Sequence, residues 1–199
     1  MRRKPRCKNP IYIMMNKKAG TVCSTVSDRR HTVYEAFSSE LLVSPEGAKL
    51  HTVGRLDADT EGLLLLTNDG QFSNFLTRPE NQIEKKYFVR LRDSVTPENQ
   101  KQYTAQAQQG LELPAEKKAP VQYSSGALIE WNREKELFIT VTEGKFHEVK
   151  RIFLALNNEV VFLKRVRTGS LVLDETLLPG QWRHLTEEEV KLLFQPSVP

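Results

Sequence analysis

The hydrophobic pattern of this chain is short and broken, and its densest block is Leu63 to Leu66, bounded by Gly62 and Thr67. Four leucines are too few for a helix, so the block predicts a strand buried on both faces. Asn68-Asp69-Gly70 supplies a turn. Gln71 to Thr77 then predicts a short helix with Asp69 as N-cap, stopped ahead of Pro79. Upstream, Ile11 to Met15 predicts a strand that runs into the basic turn Asn16 to Gly20. Ser24 to Ser39 is polar and predicts a loop with a short helix around Val33 to Phe37. Pro45-Glu46-Gly47 is a turn, and His51 to Val53 leads into the segment Arg55 to Asp57.

The second half changes period from element to element. Tyr87, Val89 and Leu91 alternate with Phe88 and Arg90, which predicts a strand over Lys86 to Arg92. Thr96-Pro97 is an N-cap followed by a first-turn proline, and a polar helix should run from there to Gln109, ended by Gly110. Leu111 to Pro120 holds two prolines and predicts a connecting loop. Val121 to Trp131 and Glu136 to Thr142 predict a hairpin around Asn132 to Lys135. Val149, Ile152, Phe153 and Leu156 fall at i, i+3, i+4, i+7, one apolar stripe of a helix. Val160 to Val166 and Ser170 to Leu173 predict strands joined at Thr168-Gly169. Thr186 with Glu189 forms a capping box that opens a last short helix. Helices and strands do not alternate regularly, so the class is α+β, with a mixed, largely antiparallel sheet and flanking helices.

Composition narrows the reading modestly. The chain has 199 residues, 39% hydrophobic and 27% charged, as a soluble globular protein does. The net charge is only +4, but its distribution is uneven. Residues 1–18 carry seven basic residues and no acid, and residues 145–167 carry six against two acids. Such patches are the footprint of nucleic-acid binding, although each alone is as well explained by a solvated tail or helix face. Two cysteines make neither a disulfide framework nor a zinc site, and the four histidines lack metal-ligand spacing, so no metal is expected. The apolar runs are too short for a signal peptide or a membrane span, which points to the cytoplasm. Residues 1–10 read as a basic flexible arm, 11–191 as the folded domain and 192–199 as a tail.

The candidate chemistry lies directly against the leucine block. Gly54-Arg55-Leu56-Asp57-Ala58-Asp59-Thr60-Glu61 places three carboxylates and an arginine in the loop that enters the core strand. A scaffold of this kind can hold an acid at the rim of a cleft. A solvated polar loop is the plainer reading of the spacing alone.

The surrounding residues change that balance. Gly54-Arg55-Leu56-Asp57, followed by Asp59-Thr60 and Gly62 to Gly70, resembles the active-site motif of the bacterial ribosomal pseudouridine synthases of the Rsu type. Four further stretches match that family in order. Tyr12 to Lys17, with Gly20 and Val22 to Thr25, is similar to its opening strand. Glu84-Lys85-Lys86-Tyr87 is similar to its acid-Lys-x-Tyr strand start. Glu143 to Arg151 and Leu178 to Thr186 are similar to its two closing motifs. The likeness runs from about residue 11 to 191, with Lys18 where the family has proline and Glu148 where it has glutamine.

The resemblance implies the pseudouridine synthase fold, with a catalytic cleft between two halves. It implies isomerisation of a uridine in ribosomal RNA or a ribosomal subunit precursor, by a monomer. The closing Leu185 to Glu189 and the His147-x-Val149-Lys150-Arg151 segment favour the small-subunit relatives over the large-subunit ones. Relatives carry a small RNA-binding domain of the S4 type ahead of the catalytic part, and these 199 residues leave no room for one.

The reaction breaks and remakes a base–sugar bond without redox change or hydrolysis, so it needs no cofactor. A single carboxylate can serve as nucleophile or base, and the resemblance gives Asp57 that role. It assigns Tyr87 to stacking on the extruded base and Lys150 to the cation beside Asp57. Arg55 is implied to touch RNA near the vacated position. Glu148 adds an anion close to Lys150. Helix geometry places Lys150 about 110° and Arg151 about 150° from the centre of the apolar stripe, which sends Arg151 outward to RNA. Lys17, Lys85, Lys86, Lys164, Arg165 and Arg167 are the remaining candidate phosphate contacts. Two other readings stay open: an idle RNA-binding or ribosome-assembly factor of the same fold, and a metal hydrolase built on Asp57, Asp59 and Glu61.

Overall fold

The structure, a computed structural model, describes residues 9–27, 29–116 and 119–194. Most of the basic arm, Cys7 and most of the tail lie outside the described residues. In chain order the elements are β1 (Tyr12–Lys17), α1 (Ser39–Val43), β2 (His51–Thr52), β3 (Glu61–Thr67), α2 (Gly70–Thr77), β4 (Lys85–Leu91), α3 (Pro97–Gln109), β5 (Glu112–Leu113), β6 (Gln122–Tyr123), β7 (Leu128–Trp131), β8 (Glu136–Val141), α4 (Glu148–Ala155), β9 (Val160–Thr168), β10 (Leu171–Val172), β11 (Trp182–His184) and α5 (Glu187–Leu193). They divide into two compact units. The described residues up to Asn81 and from Gly169 form one, and Gln82–Thr168 forms the other.

In the first unit β1 lies between β11 and β3, antiparallel to both, and β2 pairs with the far end of β3. The leucine block is a strand buried on both faces, as its composition predicts: Leu63 to Leu66 are each at most 2% exposed. The turn from β3 into α2 is held by side chains that take up its loose backbone groups. Asn68 Oδ1 accepts from Ile11 N, and Thr67 Oγ1 donates to Ile11 O and accepts from Asp69 N. Asp69 caps α2 through Gln71 N and Phe72 N, and Tyr12 donates its hydroxyl to the same carboxylate. Phe72 and Leu76 of α2 are buried. Strand β11 was not legible as a strand, because two half-exposed residues and an exposed one carry no periodicity.

In the second unit the order is β9-β4-β8-β7, all antiparallel. Tyr87, Val89 and Leu91 face inward from β4, as their alternation predicts. Helix α3 starts on Thr96, whose side chain accepts from Asn99 N, and stops at Gly110 with φ +85°. The hairpin β7–β8 forms around Asn132 to Lys135, but its first strand is shorter than expected. Ser124 to Gly126 break it, and Gln122–Tyr123 pair instead with Glu112–Leu113. The stretch Leu111 to Pro120, expected as a plain loop, therefore contributes a strand to a small ribbon that packs on α4.

Candidate active site

Asp57 sits half-buried at the start of a turn closed by Thr60 N donating to Asp57 O at 3.1 Å. The loop leaves β2 at Val53, whose N–H reaches Leu65 O, and bends at Gly54 with φ +69°. It enters β3 at Gly62 with φ +97°, a backbone region that residues with a Cβ adopt only under strain. Arg55 is exposed on the outer side, and Leu56 anchors the loop as a buried apolar plug.

The mount of this turn is the segment after β1. Gly20 N donates to Ala58 O at 2.7 Å. The Cys23 thiol sits 3.5 Å from both the N–H and the carbonyl of Leu56. Lys17 was expected to reach RNA phosphates, and the structure corrects that reading. Its side chain is fully buried, and its ammonium donates to Thr60 O at 2.8 Å and to Ala58 O and Lys18 O at 3.2 Å each. A buried cation with carbonyl partners cannot exchange them for solvent-borne phosphate without dismantling the turn. Burial lowers the Lys17 pKa, while Cys23, Asp59, Asp57 and Glu61 act in the opposite sense. The lysine thus organises the turn and lends it positive potential.

Lys17→Met is accordingly expected to destabilise the fold. It removes the ammonium from Thr60 O and leaves Ala58 O with the Gly20 N–H alone, and charge-assisted bonds of this kind contribute about 1.5–3 kcal/mol each. Relief of the ammonium's desolvation offsets part of the loss, so a net cost of about 2–3 kcal/mol is expected, or roughly 5–10 °C in melting temperature for a chain of this size. Calorimetry checks it; an unchanged midpoint would contradict the role.

The second unit carries the other named residues. Tyr87 is buried on β4, with Ile139 opposite on β8 and Arg165 opposite on β9. Arg165, expected at phosphates, is only 4% exposed and faces inward, so it too is removed from that role. Lys85 donates to the carbonyls of Ile83, Thr142 and Glu143, and burial, helped by the Arg165 charge, lowers its pKa to about 8. Lys86 pairs with Glu130 at 2.6 Å and Arg167 with Glu84 at 2.7 Å, while Lys164 is half-buried on β9. These last three remain within reach of solvent.

Helix α4 begins after His147, which adopts a left-handed conformation at φ 48° and bonds Glu116. Lys150 is half-buried in its first turn, where the helix dipole disfavours a cation by about 0.3–1 kcal/mol. Arg151 does not point out to RNA. It is 1% exposed and donates to Pro114 O, Gln122 Oε1, Phe146 O, Leu113 O and Pro120 O at 2.7–3.3 Å. The ribbon β5–β6 and its connecting loop cover that side of α4, which the apolar stripe alone does not reveal. Leu154, also off the stripe, is the exposed one.

Comparison with known proteins places this arrangement. A family model for RNA pseudouridylate synthases matches residues 11–155. The chain belongs to that family, an enzyme class that isomerises uridine within RNA. The ribosomal small subunit pseudouridine synthase A of Vibrio cholerae serotype O1 is 43% identical over 186 residues, covering 94% of this chain and 75% of that protein. The protein of the same name from Escherichia coli K12 is 41% identical over 181 residues, covering 91% and 73%. A crystal structure described as a pseudouridylate synthase matches with a TM-score of 0.82 at 40% identity, over 94% of this chain and 75% of that one.

Proposed function

We propose that this chain converts a uridine of ribosomal RNA to pseudouridine, that the target lies in small-subunit RNA, and that Asp57 carries the chemistry with Tyr87 and Lys150. The observation that carries the reading is the Asp57 turn itself. It is a half-exposed carboxylate on a main-chain mount fixed by a buried ammonium. Catalysis by a single positioned acid needs that rigidity, because small displacements of a reacting group are costly. The names of the relatives from Vibrio cholerae and Escherichia coli support the small subunit as the target class.

The chemistry is dictated by the product. The bond from ribose C1′ to uracil N1 breaks, the base turns, and C1′ joins C5; C5 loses its proton to solvent and N1 takes one up, so the product is an isomer. A carboxylate at Asp57 serves as nucleophile or base in this sequence. Tyr87 offers a face to a base taken out of its stack, offsetting part of an unstacking cost of a few kcal/mol. The test is to incubate the protein with small-subunit and large-subunit RNA in parallel, free and as assembled subunits, and to map pseudouridine by nucleotide position. One modified uridine in the small-subunit RNA is expected. Modification confined to large-subunit RNA would contradict the target, and none in either would contradict the function.

Affinity should be largely electrostatic. With Lys17, Arg151 and Arg165 buried, and Lys85, also expected at phosphates, held instead by three main-chain carbonyls, the phosphate contacts we assign are Arg55, Lys86, Lys164, Arg167 and the basic residues of the arm. Each phosphate neutralised adds about 0.7–0.9 to the slope of log affinity against log salt. Deleting residues 1–8 is expected to flatten that slope without changing which uridine is modified, read from filter binding at several salt concentrations. A slope near zero for the full chain would count against RNA as the partner.

A further inference from the structure

A pair of carboxyl groups closes the turn that leads into α4. The Glu143 carboxylate accepts from Ser125 N at 2.8 Å and pairs with Lys145. The Glu148 side chain, 6% exposed, is hydrogen-bonded to the same carboxylate. One member of such a pair must carry a proton, since a carboxylate cannot donate and a buried carboxylate is repelled by a second one beside it. The surroundings decide which. Burial opposes ionisation of Glu143, but Lys145 and the Ser125 N–H outweigh it and hold that carboxyl below the usual range. Burial, then the Glu143 charge, pushes Glu148 up to about 7, with Lys145 and Lys85 pulling the other way. Glu148 is therefore the donor. The other charged groups around it are engaged elsewhere: Lys85 on the carbonyls of Ile83, Thr142 and Glu143, Arg151 on the ribbon, and Glu116 on His147. Arg165 acts on the same corner through Lys85.

We propose that Glu148 is a positioning residue: its neutral carboxyl latches the Glu143–Glu148 turn shut, fixing the first turn of α4 and with it Lys150, and its ionisation releases the latch. The catalytic consequence rests on the reading of Lys150 as part of the active site; the latch itself does not. The sign is fixed by the chemistry. The folded chain holds a proton that the unfolded chain releases near pH 4.5, so the latch is complete on the acid side and is lost as pH rises through about 7.

Glu148→Gln is the discriminating variant, because an amide keeps the donor to Glu143 and cannot ionise. Amide hydrogen exchange of the full chain, corrected for intrinsic pH dependence, should show Lys145 to Arg151 losing about tenfold or more of their protection across pH 6 to 8 in the wild type. Glu148→Gln should show no such step, and Glu148→Ala should be unprotected at every pH. The melting-temperature advantage of Glu148→Gln should widen from about pH 4.5 to 7 and then level off. A wild type without the exchange step, or one whose step survives in Glu148→Gln, overturns the latch whatever the enzyme does. Turnover separates the second claim. Wild-type kcat should fall on the alkaline side with the same midpoint and little change in KM, and Glu148→Gln should lack that limb. An exchange step without a matching kcat limb overturns the positioning role, whereas absence of turnover in both proteins at all pH values counts against the functional reading itself.

Discussion

Asp57→Asn is expected to fold, to bind RNA, and to make no detectable pseudouridine. The turn that carries Asp57 is held through main-chain groups: Thr60 N on Asp57 O, Gly20 N on Ala58 O, and the Lys17 ammonium on the carbonyls of Ala58 and Thr60. An amide at this half-exposed position disturbs none of these bonds. The stability change should stay within about 0.5 kcal/mol, or roughly 2 °C in melting temperature. The loss of turnover should be at least about 10²–10⁴-fold, the contribution of a positioned acid–base group, and larger where the carboxylate also forms a bond to substrate. Nucleoside analysis of treated RNA reads the product, and binding at low salt reads the rest. Turnover close to wild type would remove Asp57 from the mechanism.

Arg151→Met is expected to have the largest effect on folding. Its guanidinium meets Pro114 O, Leu113 O and Pro120 O on one side and Phe146 O and the Gln122 side chain on the other. The carbonyls of Leu113, Pro114 and Pro120 lie in a stretch whose two prolines bring no N–H of their own, so the arginine is the donor that lets it fold against α4. Methionine fills the volume and satisfies none of them. Losing several charge-assisted bonds at once should cost about 4–5 kcal/mol, on the order of 10–20 °C in melting temperature, or yield insoluble protein. Lys150→Met, one position away, is expected to melt near the wild type and lose turnover. A stable Arg151→Met whose only defect is weaker RNA binding would restore the outward-facing arginine that helix geometry predicts.

The contrast between these neighbours shows what periodicity conveys. The stripe Val149, Ile152, Phe153, Leu156 correctly gives a helix and its packed face, because burial against one surface repeats every 3.6 residues. It is silent about a second covering element contributed from some thirty residues away, and Arg151 is buried by that element. Lys17 is a different case, since the signal was there. Period 2 puts it on one face of β1 with Ile13 and Met15, and that strand is buried on both faces from Ile13 to Lys17, which places its side chain in the core. Charge suggested a phosphate contact, and position on the strand overruled charge. Arg165 continues inward from Leu163 on β9 in the same way. Tyr87, with Val89 and Leu91, was legible because an aromatic ring gives no competing signal. The family and the Asp57 loop were legible because Gly54 and Gly62 are demanded locally by a positive φ and Asp69 by the helix it caps. The ribbon β5–β6 and the Glu143–Glu148 pair were not, because both depend on contacts that no single stretch of sequence contains.

The central claim is that this chain joins C1′ of a uridine to C5 with Asp57 in the reaction. Its direct consequence is loss of the C5 hydrogen. The measurement is tritium release from small-subunit RNA transcribed with [5-³H]uridine, followed over time with the wild type and with Asp57→Asn at equal enzyme. The account predicts that the wild type releases tritium to water up to one equivalent per RNA, in step with pseudouridine formed, and that Asp57→Asn releases none. Tritium retained in the presence of wild-type protein, or released equally by both proteins, would contradict it.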